Sequence, residues 1–216
     1  MVGGGISIQP VDWLKISADF SVNANGGSSE MDDYDWLYAT SLWSHWSRHT
    51  DVDLTTGQIW DINAEMFFFS NDQVSLSGII GYRQDTWEWE GRGGEFIYSV
   101  NGFRDTTGTF RSDILGITYE QTFQVPYIGF GFNINLDPFS LHGRVIGSVL
   151  TFASDTDHHH LRNLTYERDF EPGTMIAFNF GTTYKFTEHL AMSGNIQINS
   201  YLLTRGDTTI TNETTG

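Results

Sequence analysis

Leu14-Lys15-Ile16-Ser17-Ala18-Asp19-Phe20-Ser21-Val22 alternates apolar and polar residues without a break. On an extended backbone successive side chains point to opposite faces, so this stretch is a strand with one apolar and one polar face. The same period of two recurs in Trp60-Ile62-Ala64-Met66-Phe68, Val74-Leu76-Gly78-Ile80-Tyr82, Leu115-Ile117-Tyr119 and Ile128-Phe130-Phe132-Ile134. It continues in Leu141-Gly143-Val145-Gly147-Val149, Ile176-Phe178-Phe180-Thr182-Tyr184-Phe186 and Leu190-Met192-Gly194-Ile196-Ile198. The regular structure is therefore antiparallel strand almost throughout.

The connections decide which all-β fold this is. Gln9-Pro10-Val11-Asp12, Ser70-Asn71-Asp72-Gln73, Leu136-Asp137-Pro138-Phe139 and Thr187-Glu188-His189 are tight and carry turn chemistry. Between them lie long polar connections around 23–58, 89–113 and 155–174. Short and long connections alternate, which collects all short turns at one end of the sheet and all long ones at the other. That asymmetry predicts an antiparallel transmembrane β-barrel of the outer-membrane type, with Trp13, Trp60, Trp87, Tyr127, Phe139 and Tyr184 among the aromatics near strand ends. A soluble β-sandwich or lipocalin-like barrel would also alternate, but it does not call for one-sided loops.

In the barrel the apolar set faces lipid. The other set, including Lys15, Asp19, Asp61, Asn63, Glu65, Ser75, Ser77, Gln197 and Asn199, faces the lumen. About seven full strands and a stub at Ile6–Ile8 are legible, and the chain ends in a polar tail, 208–216. Barrels in lipid close their edges, so the expectation is a single domain over 1–216 that is a piece of a larger barrel, lacking its first and last strands.

Composition narrows the function classes. Of 216 residues, 11 are Lys or Arg and 27 are Asp or Glu, a formal charge of −16, so phosphate backbones are repelled and cationic partners are favoured. No nucleic acid is expected. The absence of Cys removes thiolate catalysis and Cys-based zinc sites. No apolar run approaches the roughly 20 residues of a membrane-spanning helix, and Met1–Pro10 carries no signal-peptide pattern.

Candidate chemistry lies at the ends of the long connections. In an extended chain Asp33 shares a face with Asp35, and Asp157 shares one with His159. An Asp beside an imidazole orients the ring and stabilises its charged form, and two close carboxylates push one pKa up. Four such groups across a barrel mouth could handle the proton of a water. The rival for 155–160 is a metal site built from His158, His159 and His160 with Asp155 and Asp157, although alternation turns His158 and His160 away from His159.

Met31-Asp32-Asp33-Tyr34-Asp35-Trp36, Ser47-Arg48-His49, Arg92-Gly93-Gly94-Glu95-Phe96-Ile97-Tyr98-Ser99, Gly102-Phe103-Arg104-Asp105, Pro126-Tyr127-Ile128-Gly129 and Ala153-Ser154-Asp155-Thr156-Asp157-His158-His159 occur in that order. These strings resemble those of the omptins, outer-membrane endopeptidases of Gram-negative bacteria. The resemblance implies a ten-stranded barrel, monomeric, in the cell outer membrane, with a catalytic groove open to the exterior. It implies that Asp33 and Asp35 position a water and share a proton at the oxyanion, while His159 is the general base oriented by Asp157. Asp155 would accept a basic side chain before the cleaved bond, and His49 would support substrate at the groove. The implied substrates are cationic peptides or proteins, cut next to Arg or Lys. No metal and no cofactor are implied, apart from lipopolysaccharide as a required lipid.

Departures from the family pattern are specific. The acidic partner of Asp155 would come from the missing first strand. The acidic position after the cleaved bond reads His45, and the lipopolysaccharide-contacting positions read Tyr82, Gln84 and Thr86. A non-proteolytic adhesin and a passive pore are the alternatives on the same scaffold.

Overall fold

The computed structural model describes residues 1–38, 42–202 and 205–214. It contains eleven strands in one antiparallel sheet: β1 (Val2–Val11), β2 (Leu14–Val22), β3 (Ser28–Asp35), β4 (His45–Ser70), β5 (Val74–Tyr98), β6 (Thr106–Leu136), β7 (Phe139–His159), β8 (Leu164–Phe170), β9 (Gly173–Lys185), β10 (Ala191–Leu202) and β11 (Gly206–Asn212). Crossing a bilayer takes about 9–11 tilted residues. The 26, 25, 31 and 21 residues of β4 to β7 therefore cross and continue well beyond it.

The long strands change partners along their length. In the membrane half the order is β1-β2-β4-β5-β6-β7-β9-β10. In the upper half it is β3-β4-β5-β6-β7-β8-β11. Among the described residues β1 pairs only with β2 and β10 only with β9, so the sheet is not closed.

Three expectations are corrected. The stub is a ten-residue strand, registered on β2 from Val2↔Val22 to Val11↔Leu14. The polar tail contains most of β11, paired with β8 from Gly206↔Phe170 to Asn212↔Leu164, while 215 and 216 lie outside the described residues. The long polar connections are largely strand, because β3, β8 and the upper ends of β4 to β7 run through them.

The two faces follow the alternation. Trp60, Ile62, Met66, Phe68, Ile80, Ile128, Phe130, Val145, Phe178 and Ile196 are exposed on the outer wall, where lipid takes the place of a protein core. Inside, Lys15, Asp19, Asp61, Asn63, Glu65 and Gln197 line a polar cavity of about 560 Å³. Above it the lumen is filled by Ile79, Phe123, Val125, Ile146, Met175 and Ala177, with Tyr201 packed against them. Each of these side chains other than Ala177 contributes on the order of 1.5–3 kcal/mol. Beside this plug, Arg83 holds Asp85 through Nε–Oδ1 at 2.8 Å and Nη2–Oδ2 at 3.0 Å, and the Tyr201 hydroxyl donates to Asp85 Oδ2 at 2.6 Å.

Candidate active site

Parity places the site. Below residue 148 the outward side chains of β7 are odd-numbered, Phe139 and Val145 among them, yet Ala153, Asp155, Asp157 and His159 are all buried inside. The register of β7 on β9 slips between Ser148 and Thr151, as a β-bulge does, and this turns the odd side chains of the upper half inward. Strand β3 lies on β4 with Asp33↔Ser47 and Asp35↔His45. Asp33 and Asp35 thus face inward from one wall, while Asp32 faces away and is held by Arg48 at 2.8 Å and Trp46 at 3.0 Å.

The two expected couples do meet. His159 Nε2 lies 3.3 Å from Asp157 Oδ2 and 3.7 Å from Asp33 Oδ2, linking the β7 and β3 walls. Burial, followed by the neighbouring Asp35, pushes the Asp33 carboxyl up to about 6. Buried polar atoms here, His159 Nε2, Asp157 Oδ1, the Tyr166 hydroxyl and Arg162 Nε among them, have no hydrogen-bond partner among the described residues. Buried polar atoms are rarely left that way in a folded protein, so the cluster is poised to receive a polar ligand.

Two arginines of the β7–β8 hairpin escaped the sequence reading. Arg162 forms an ion pair with Asp35 (Nη1–Oδ2 2.8 Å), and its Nη2 contacts His159 Nδ1. Arg168 sits directly across from Asp155 and donates from Nε to its Oδ1 at 2.6 Å, while Tyr119 donates to Oδ2 at 3.0 Å. Counting back from the hairpin turn at 160–163 would have placed Arg168 opposite Asp155. Nothing in the composition marks Arg162.

His49 lies behind His159 rather than in the groove. The two share the lining of a gap of about 10 Å³ with Arg162, Tyr98 and Phe110. His49 Nδ1 donates to the Gly93 carbonyl at 3.0 Å, its ring stacks on Phe110 at 5.3 Å, and burial holds its pKa down. The Arg92-Gly93-Gly94 string thereby acquires a reason. Gly94 has φ +102° and passes so close to the Arg48 carbonyl that any Cβ would collide with it. His45 is also buried, bonded to the Ser44 hydroxyl at 3.0 Å, and burial likewise lowers its pKa.

The rival metal cluster does not form at 155–160. His158 and His160 stack on each other at 4.2 Å and lie apart from the buried His159. Asp33, Asp35 and His159 instead bring one ligand atom each within 4.8 Å of the others. Arg162 already contacts two of these three, and its charge opposes a cation there.

In front of the couples opens a cavity of about 390 Å³ lined by Glu30, Asp33, Trp89, Tyr119, Asp157 and Arg168 among others. The arrangement offers an imidazole between carboxylates, a proton-holding Asp33 and a recess for a side chain.

Comparison with known proteins identifies the family. A sequence model described as the Omptin family matches residues 1–216. The outer membrane protease OmpP of Escherichia coli K12 is 31% identical over 166 residues, covering 76% of this chain and 53% of that protein. The plasminogen activator of Yersinia pestis is 29% identical, covering 76% of this chain and 52% of its own length, and protease 7 of E. coli K12 is 31% identical over 80% and 50%. The chain thus spans about half the length of these relatives. The crystal structure of the E. coli outer membrane protease OmpT superposes with a TM-score of 0.87 at 24% identity, covering 99% of this chain and 73% of that one. An all-β sheet with a lipid-facing wall, and a family match along its whole length, together make this chain an outer-membrane β-barrel that belongs to the omptin family.

Proposed function

We propose that this protein is an endopeptidase that cuts peptides and proteins in basic segments, at the outer face of the membrane, with a water activated between Asp33–Asp35 and Asp157–His159. The observation that carries it is the set of unpartnered buried atoms, His159 Nε2, Asp157 Oδ1 and Tyr166 OH, with the Asp33 carboxylate 3.7 Å from that nitrogen. The water attacks the peptide carbonyl, His159 takes its proton, and Asp157 stabilises the imidazolium. Asp33 and Asp35 share a proton and hold the developing oxyanion. Arg162, held by its ion pair with Asp35, flanks the ring on its Nδ1 side and leaves Nε2 to the water. The acidic lining of the cavity, Glu30, Asp33 and Asp157, attracts basic segments of substrate.

The test is cleavage of an Arg-containing fluorogenic peptide by the protein refolded in detergent, with and without lipopolysaccharide. The expected rate is the same with a metal chelator as without it. Loss of cleavage on chelation would replace the water-activating couples with a metal at Asp33, Asp35 and His159.

Asp33 also links the site to stability. Its folded pKa of about 6 exceeds the ordinary 3.8, so the folded protein holds this proton more tightly than the unfolded chain. Stability from that proton is complete below about pH 3.8, is lost as the pH rises to about 6, and stays lost above. Asp33→Asn should therefore cut turnover yet be more resistant to unfolding at about pH 8, by on the order of 3 kcal/mol. At about pH 3.5 the advantage should vanish. Equal gains at both pH values in urea titrations would show that the Asp33 charge is not the cause.

A further inference from the structure

The pocket acid is already occupied from within the chain. Asp155 lies behind the 390 Å³ cavity, whose wall at that point is formed by Arg168 and Tyr119. Both carboxylate oxygens are used, Oδ1 by Arg168 Nε and Oδ2 by the Tyr119 hydroxyl. The contact follows from register: Asp155 and Arg168 are direct cross-strand neighbours in β7–β8, held by Thr156↔Glu167 and Asp157↔Tyr166 next to them. A basic side chain from substrate can reach Asp155 only if Arg168 moves aside. One charge-assisted bond then replaces another, and the electrostatic advantage of a basic residue over a neutral one is cancelled.

The remaining walls favour something else. Trp89 and Tyr119 stack at 5.8 Å, and Met31, Val52 and Ile117 complete an apolar lining. Flat or aliphatic side chains gain by burial against such walls.

We propose that Arg168 is the specificity-determining residue of this groove: by holding Asp155 it makes the pocket before the cleaved bond select neutral aromatic or aliphatic side chains, while Glu30, Asp33 and Asp157, elsewhere in the lining of the same cavity, attract the basic residues of the segment. This rests on the endopeptidase reading for its kinetic consequence, but the occupancy of Asp155 is testable without turnover.

The binding probe is agmatine, a free guanidinium, followed by tryptophan fluorescence through Trp89 in the refolded protein. Arg168→Ser exposes Asp155 and should bind agmatine about 10- to 100-fold more tightly than the wild type, the worth of one charge-assisted hydrogen bond. Arg168→Lys, which keeps a cation at the position, should stay near the wild type, and Arg168→Ser combined with Asp155→Asn should lose the gain. In parallel, two fluorogenic peptides differing only in Phe or Arg before the cleaved bond report selectivity. The wild type should prefer Phe, and Arg168→Ser should shift the ratio toward Arg by a similar factor, mostly through KM.

Equal agmatine binding by wild type and Arg168→Ser overturns the proposal. So does a wild type that prefers Arg by the same margin as Arg168→Ser. Ordered agmatine binding with no cleavage by any variant leaves the assignment of Arg168 intact and refutes the endopeptidase reading instead.

Discussion

Replacing Asp157 or His159 with Ala should each lower kcat/KM on an Arg-containing peptide by about 100- to 10,000-fold, the usual worth of a positioned general base. The reason is the geometry at His159: the residue is buried, and its Nε2 lies 3.3 Å from Asp157 and 3.7 Å from Asp33. Because the two residues act as a unit, the double variant should be hardly slower than either single one. His158→Ala and His160→Ala alter a stacked pair that points away from His159 and bonds Thr165 and Thr118, and both should leave the rate as it is. Retention of wild-type rates by both Asp157→Ala and His159→Ala, in protein that still folds, would refute the assignment.

The largest expected effect on stability lies lower down, where catalysis plays no part. Arg83→Leu should destabilise the barrel by about 3–5 kcal/mol, because Asp85 is 2% exposed and would be left as a buried carboxylate with one remaining donor, Tyr201. The double variant Arg83→Leu/Asp85→Leu should recover most of that loss, since both charges then go together. Urea unfolding in detergent gives both values. A double variant as unstable as the single one would mean that side-chain packing at Arg83, rather than its charge, holds the plug.

Strands that meet lipid are written plainly in the sequence, because each must show one apolar face to hydrocarbon. β2, β4, β5, β6, β7, β9 and β10 were legible for that reason. Ser28-Ser29-Glu30-Met31-Asp32-Asp33-Tyr34-Asp35 is equally extended in β3, but it stands above the membrane with a groove on one side and water on the other, so no hydrophobic period marks it. β8 and β11 are hidden in the same way, and Gly3-Gly4-Gly5 in β1 carries no side chains to pattern. At the site, the spacing of Asp33 with Asp35 and of Asp157 with His159 gave each pair a common face. That the faces meet depends on the slip between Ser148 and Thr151, which nothing in the local composition announces. Arg162 and Arg168 were missed because an isolated arginine in a polar stretch has no meaning until the hairpin that carries it is registered.

That slip has a consequence for how such proteins can change. Below it, substitutions on β7 are tested by solubility in hydrocarbon; above it, the same numbering parity is tested by chemistry. Deleting one residue between 148 and 151 would leave the lower strand where it is and rotate Asp155, Asp157 and His159 to the outside, erasing the site without touching any of its residues. Conversely, the upper half can be lengthened or shortened only in steps of two, so loop-bearing barrels of this kind should vary in height by even increments along this strand.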